Sequence, residues 1–443
     1  MTDRVVAGAP PPQVRSPSLV QKVGFVAFRR TAMRHWIKRH GHIFEISAPV
    51  FGRFVVVSDP ALVRSVCTAS AEQLVNVRPN LGSLFGPGSI FALDGDEHRD
   101  RRRLIASAFH RHCLKDHEKL IEDETLQECA NWPEGKEFRT LEPMERITLN
   151  MILRAIFGPD GADGSEAERL REVIPLFTAS RTGRWIRWGR LNNYRRDYDR
   201  IVTTLIDRAE ADPGLGDRDD VLAVLLRSRH DDGTRMSRRD ICDELLAFIG
   251  AGQETTAAAL AWAFERLRRH PSVLAELVRE IDAGGSEVRR ATIVELLRTR
   301  TVVDVVGRRV RAPYFSLGEW RIPQDRNVLV RVADLHEDPE NFPHPERFEP
   351  RRFLGIRPTA PEWLAFGGGV RRCPAADFAM VEIDVVLRTV LRDFRIQTDT
   401  AADEKPRFRG IAHVPGRGGR IVLHRRTPVG EVGHSADHDG LPG

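Results

Sequence analysis

Residues 366–375 read FGGGVRRCPA. The stretch sets one cysteine, Cys373, between a glycine-rich turn and a strong helical pattern. Downstream, apolar residues recur at Phe378, Met380, Ile383, Val386, Leu387, Val390, Leu391 and Phe394, mostly the spacing of a helix with one buried face. Proline is tolerated in the first helical turn, where its missing N–H leaves nothing unpaired, so Pro374 puts Cys373 at or just before a helix N-terminus. There the helix dipole favours thiolate over thiol. Glycines 367, 368 and 369 let the backbone approach a flat ligand closely, while Arg371 and Arg372 add positive charge beside the sulfur. Residue type alone does not distinguish Cys373 from an ordinary buried cysteine, which is what most free cysteines are. The spacing around it does.

Phe366, Gly369, Arg371, Cys373 and Ala375 together resemble the haem-binding loop of the cytochrome P450 family, FxxGxRxCx(G/A), with alanine at the position of the commoner glycine. A thiolate so presented suits one axial position of a haem iron. The resemblance implies haem b, iron protoporphyrin IX, ligated by Cys373, with Phe366, Gly369, Arg371 and Ala375 around it. It also implies a mainly α fold with small β-sheets (α+β), one domain built under a long central helix.

A candidate for that helix runs from Asp240 to His270, about 31 residues and so roughly 46 Å at 1.5 Å per residue. Residues 251–256 in its middle read AGQETT. Glycine costs a helix about 1 kcal/mol relative to alanine, so Gly252 marks a place of close approach. Gly250 to Gly252 is no dinucleotide loop, because no strand precedes it. A buried Glu254 is expensive unless hydrogen-bonded or given a task. The segment resembles the family's (A/G)Gx(D/E)T(T/S) motif, which implies that Ala251 and Gly252 border the distal face of the haem. Thr255 would then hydrogen-bond the oxygen bound there, and Glu254 would relay the protons that O–O cleavage consumes.

Other motifs carry little information singly. His98 and Arg102 stand four apart on a probable helix in GDEHRDRRRL and share one face. Alone they describe a solvated basic helix; in the family a Trp or His, three residues, then Arg reach a haem propionate, a carboxylate that cations complement. Glu295 and Arg298 in ELLR are a common surface pair by themselves. The resemblance makes them a buried ExxR pair completed by an arginine from FPHPERFEPRRF, with Arg352 preferred over Arg347. This chain has PRRF where PERF is frequent, and Thr301 where a proline is usual. Arg308, ahead of Arg309, is the candidate for the second propionate.

The remaining chain supports one domain. His42 to Val57 alternates around Gly52 as a β-hairpin. Asn80 to Leu93 reads as a long loop, which the family resemblance places over the distal haem face. Leu176 to Arg200 mixes Trp185 and Trp188 with arginines, a composition shared by a membrane-surface patch, a substrate lid and an exposed loop. Arg407 to Leu423 reads as a terminal hairpin turning at Gly416, Gly418 and Gly419; the resemblance sends its tip into the substrate pocket. Residues 1–20 are expected to be a flexible segment, 21–426 the catalytic domain and 427–443 a disordered tail.

The chain has 443 residues, a formal net charge of +5 and five cysteines without CxxC or zinc-like spacing. Arginines are scattered, with no basic stripe interleaved with aromatics, so nucleic acid is not an expected partner. The N-terminal segment, with four prolines between Pro10 and Pro17, lacks the run of a signal peptide or membrane anchor, and the cytoplasm and a monomer are expected. Taken together the motifs imply a haem-thiolate monooxygenase that inserts one oxygen atom into a small hydrophobic substrate of lipid, steroid, terpenoid or polyketide type. Electrons would come from a ferredoxin or flavodoxin-type donor, since no flavin or iron–sulfur motif is present; Arg371, Arg372 and the Arg111 to Lys115 cluster are candidates for docking it. A peroxide-driven haem-thiolate enzyme would not need Glu254 and Thr255, and a haem sensor would need only the cysteine loop.

Overall fold

The computed structural model describes residues 8–27, 29–49, 52–108, 114–180 and 188–426. Its centre is the helix Arg238–Arg269, 32 residues long, started by Ser237, whose side chain accepts from the N–H of Asp240. Arg266, Arg268 and Arg269 fill its last turn, where cations complement the helix dipole. From Ile241 to Leu267 every residue is buried except Ala251, Gly252 and Thr255. A helix covered on all sides must cross the interior, and this one does.

Helices Leu141–Ala162, Glu287–Thr299 and Ala376–Asp393 pack against it. One apolar cluster joins Trp262 and Phe264 to Leu387 and Leu391 of the helix that follows Cys373. Another joins Leu245 and Ile249 to Phe85, Ile105, Ile152 and Tyr198. The helix from Leu141 continues to Ala162 across a break at Gly158, φ 72°. Helix Pro271–Asp282 follows the central helix and begins with proline at its first position.

A five-stranded sheet flanks the helices in the order Ile43–Ala48, Gly52–Val57, Asn327–Arg331, Val305–Val310, Leu74–Asn76. The first pair is the expected hairpin, Ile43 opposite Val57 and Ala48 opposite Gly52. Gly52–Val57 runs parallel to Asn327–Arg331, and the other pairs are antiparallel. Asn76 opposite Arg308 fixes where that arginine enters the interior.

Two expectations change. Residues 8–20, read as a flexible lead, make defined contacts: Ala9 bridges Trp320, Gln13 bridges Glu45, and Val14 is buried. Sheet-edge hydrogen bonds hold them, which composition does not reveal. The terminal hairpin turns at Gly410 and Ile411, between strands Pro406–Arg409 and Ala412–Pro415. Glycines 416, 418 and 419 instead route the chain to Arg420–Ile421, paired with Phe138–Arg139, and then to Leu423–Arg425, paired with Phe394–Ile396. No described helix is long and apolar enough to cross a membrane. Residues 427–443, Trp185, Arg111 and His112 lie outside the described residues.

Candidate active site

The helix after the cysteine starts at Ala376 with Ala375 as its cap, so Cys373 precedes it and Pro374 stands before the first turn rather than in it. The Cys373 N–H donates to the carbonyl of Phe366 at 2.8 Å, closing the loop on itself. Phe366 packs edge-on against Trp363, ring centres 5.9 Å apart. Burial pushes the Cys373 thiol up, while the Ala375 N–H and the charges of Arg372 and Arg102 pull it down. Burial wins. The expected position at a helix N-terminus and the nearby arginines are thus opposed by burial, and coordination to a metal would be what favours the thiolate.

The glycines have a different tightest neighbour from the one expected. Gly369 has φ +63°, and a Cβ there would overlap the carbonyl oxygen of Cys67 at the end of helix Pro60–Thr68. A Cβ on Gly368 would meet the Cys67 sulfur at 3.1 Å. Backbone of Cys67 dictates glycine at 369, and the Cys67 and Leu364 side chains crowd 368.

Arg371 also departs from its expected place beside the sulfur. It donates to Asp94 Oδ1 and to the carbonyl of Leu93, each at 2.6 Å. With Arg102 and Arg308 it forms an interior cationic group around the neutral His98. Burial, then Arg371, Arg102 and Arg308, hold the His98 imidazole down to about 3. Burial likewise lowers Arg308 and Arg102, and brings Arg371 to about 10. Among the described residues no carboxylate forms an ion pair with Arg102 or Arg308, and Asp94 alone pairs with Arg371. The HxxxR spacing brings His98 and Arg102 to this group, and strand pairing brings Arg308.

On the other side, Ala251, Gly252 and Thr255 form a half-buried i, i+1, i+4 face of the central helix. The Thr255 hydroxyl donates to the Ala251 carbonyl at 2.7 Å, leaving its oxygen as an acceptor on that face. The strictest packing demand on the glycines falls on Gly250, where a Cβ would lie 2.6 Å from Phe85, and not on Gly252, where Ile152 would be 3.3 Å away. The loop 80–93 is pinned to the central helix by Gly88 N–H to Asp243 at 2.9 Å and Ile90 N–H to Glu244 at 2.8 Å. Arg101 pairs with Glu244 at 3.0 Å, and burial lifts that carboxyl to about 7 against the arginine's pull. Arg195, one of the arginines of the 176–200 stretch, reaches inward to Asp243 and to the carbonyl of Phe85. Sequence reading did not find Asp94, Asp243 or Glu244, because their partners are remote in the chain.

The family model described as Cytochrome P450 matches residues 10–419. The chain belongs to the cytochrome P450 family. Cytochrome P450 138 of Mycobacterium tuberculosis is 52% identical over 428 residues, covering 94% of this chain and 96% of its own. Cytochrome P450 135B1 of Mycobacterium bovis is 35% identical over 440 residues, covering 95% of this chain and 92% of its own. A solved structure described as retinoic acid bound cyanobacterial CYP120A1 superposes with a TM-score of 0.82, covering 95% of this chain and all of that one, at 20% identity.

This P450 is a haem-thiolate monooxygenase, an oxidoreductase. Its residues fit the cofactor. A flat dianion with two carboxylates would answer the under-neutralised Arg102, Arg308 and Arg371, with the neutral His98 as a further donor, and Cys373 would be the soft ligand for its iron. Glu295 and Arg298 of the ExxR segment pair with each other inside the protein. Arg298 meets Glu295 at 2.7 and 2.8 Å with both side chains fully buried, and Arg352 reaches Glu295 at 3.2 Å. Arg347 contributes only its carbonyl, accepting from Arg298 at 3.0 Å, beside the carbonyls of His336 and Pro345. Arg352 therefore completes the triad.

Proposed function

We propose that this P450 inserts one oxygen atom from dioxygen into a small hydrophobic organic substrate, of lipid, steroid, terpenoid or polyketide type. Electrons come from an external ferredoxin or flavodoxin-type protein. The cofactor is haem b, which when bound supplies the iron that activates oxygen. Cys373 holds it from one side. His98, Arg102, Arg308 and Arg371 bind its carboxylates, and Phe366, Gly369 and Ala375 shape the loop around the ligand.

The carrying observation is the half-buried face of Ala251, Gly252 and Thr255 in a helix otherwise sealed from Ile241 to Leu267. Two small residues leave room there, and Thr255 presents a hydroxyl oxygen. Glu254, buried one residue earlier, holds and passes protons towards that face. Phe85, Ile152 and Ile90 around it exclude water and favour an apolar substrate. A protein of this fold with retinoic acid bound agrees with that substrate class.

Arg372 is exposed beside the cysteine loop and suits docking of an acidic donor, whereas Arg371 is engaged inside the protein. The chain acts as a cytoplasmic monomer. Glu254→Gln and Thr255→Ala should lower product formed per electron pair and raise release of hydrogen peroxide. Unchanged coupling in both variants would overturn the dioxygen reading, and efficient turnover with peroxide alone would favour a peroxide-driven enzyme. Spin-state shifts of the haem absorption across a hydrophobic compound library will narrow the substrate.

A further inference from the structure

The turn of the C-terminal hairpin meets the central helix at one acid. Gly410 lies at φ +58°, and a Cβ there would overlap both carboxylate oxygens of Glu254 and come within 2.6 Å of its Cδ. A side chain at 410 would force the Glu254 carboxylate to move as well as straining the positive-φ backbone. We infer that the hairpin tip positions the Glu254 carboxylate, so that Gly410 is a positioning residue for proton delivery; the functional half of this rests on reading Glu254 as the proton relay.

The contact is held from several directions. Arg409, next to Gly410, forms an ion pair with Glu145 on the helix Leu141–Ala162. The same helix grips the residue beside Glu254: the Glu145 carbonyl accepts from Gln253 Nε2 at 3.4 Å, and Thr148 Oγ1 donates to the Gln253 carbonyl at 3.3 Å. Farther back, the Trp262 indole N–H donates to the His413 carbonyl at 2.8 Å, tying the second hairpin strand to the central helix. Glu404 accepts from Arg417 N–H at 2.6 Å and Arg420 N–H at 3.0 Å, closing the chain behind the hairpin.

The hairpin is thus anchored behind its tip and beside it, while the tip itself abuts a carboxylate. A long, flexible acid side chain would otherwise sample several rotamers at little cost. Backbone at Gly410 removes those that point towards the hairpin. Any ligand that pushes the tip shifts the acid as well, so ligand seating and proton supply are mechanically coupled through one residue.

A double-mutant cycle tests this on the holoenzyme. Gly410→Ala introduces both backbone strain and the overlap with Glu254. Gly410→Ala combined with Glu254→Asp retains the strain but withdraws the carboxylate by one carbon, so the strain cancels in the cycle. Gly52→Ala, at φ +64° with nothing within 4 Å, reports strain alone. Gly410→Ala should lower the melting temperature more than Gly52→Ala, and most of the excess should vanish in the Glu254→Asp background.

Product per electron pair should fall roughly threefold to tenfold in Gly410→Ala and recover partly in the double variant. Additive melting shifts, or no recovery of coupling by the shortened acid, would overturn the positioning role. The two readings fail separately. If Glu254→Gln leaves coupling untouched, the relay is wrong, and the melting cycle still decides whether Gly410 sets the carboxylate.

Discussion

Two of the interior arginine groups in this molecule make opposite use of their charge. In one, Arg298 and Arg352 converge on Glu295, and Arg298 also donates to three carbonyls, so its charge and its N–H groups are answered by the chain itself. In the other, Arg102, Arg308 and Arg371 crowd a buried His98 with Asp94 as the single paired carboxylate among the described residues. Burying charge is costly in both places. The first group is answered by the protein itself; the second is left short of counter-charge, which on the proposed function a bound carboxylate would supply.

The largest effect belongs to the sulfur beside the second group. Cys373→Ala should abolish the red-shifted carbon monoxide spectrum of thiolate ligation; its retention would mean that another residue ligates the iron. Next comes the first group. Glu295→Gln leaves two buried guanidiniums short of their counter-charge and should cost about 3–5 kcal/mol in denaturant unfolding. Arg352→Ala should cost about 1.5–3 kcal/mol, the range for a hydrogen bond to a charged group. Arg347→Ala, which spares the carbonyl used by Arg298, should stay within about 0.5 kcal/mol. Equal losses for Arg347 and Arg352 would erase the distinction between them.

In the second group the sign of the effect should reverse. Arg308→Met relieves repulsion, so the haem-free chain should unfold no more easily than wild type, while haem transfer to an excess of acceptor protein should quicken roughly tenfold. Loss of stability without faster haem release would make this group structural like the first.

The smallest effect is a slope. His98 stays neutral in the fold down to about 3 against an ordinary value of 6.5, because burial and three arginines oppose its proton. Between those values the unfolded chain binds the proton and the folded chain does not, so stability rises with pH across that window and falls on acidification. His98→Asn should remove that part of the slope in unfolding curves of the haem-free chain. An unchanged difference between pH 4 and pH 6, values inside the window of about 3 to 6.5, would show that His98 accepts a proton in the fold.

Local chemistry made much of this legible beforehand. The long apolar run from Asp240 to His270, the FGGGVRRCPA loop and the hairpin at Gly52 each carry a short-range period or turn signal, so element type follows from neighbours in sequence. Family spacing then marked Cys373, the HxxxR pair and the ExxR pair. What failed to show locally was what depends on distant partners. The glycines near 416 resemble a hairpin turn, yet the pairing of Arg420 with Arg139 draws them into a crossing, and the turn falls at Gly410. Arg371 reads as a charge beside sulfur until Asp94 claims it.

The FGGGVRRCPA stretch by itself established a cysteine ahead of a helix, because a turn, a proline and an apolar period are properties of adjacent residues; its part as a ligand is what the family resemblance implies. Only the tertiary structure decided that Cys67 dictates glycine at 369, that burial opposes the thiolate, that Arg352 rather than Arg347 meets Glu295, and that Gly410 faces Glu254. Desolvation, steric exclusion and ion pairing act across space, and their partners here lie tens to hundreds of residues apart along the chain.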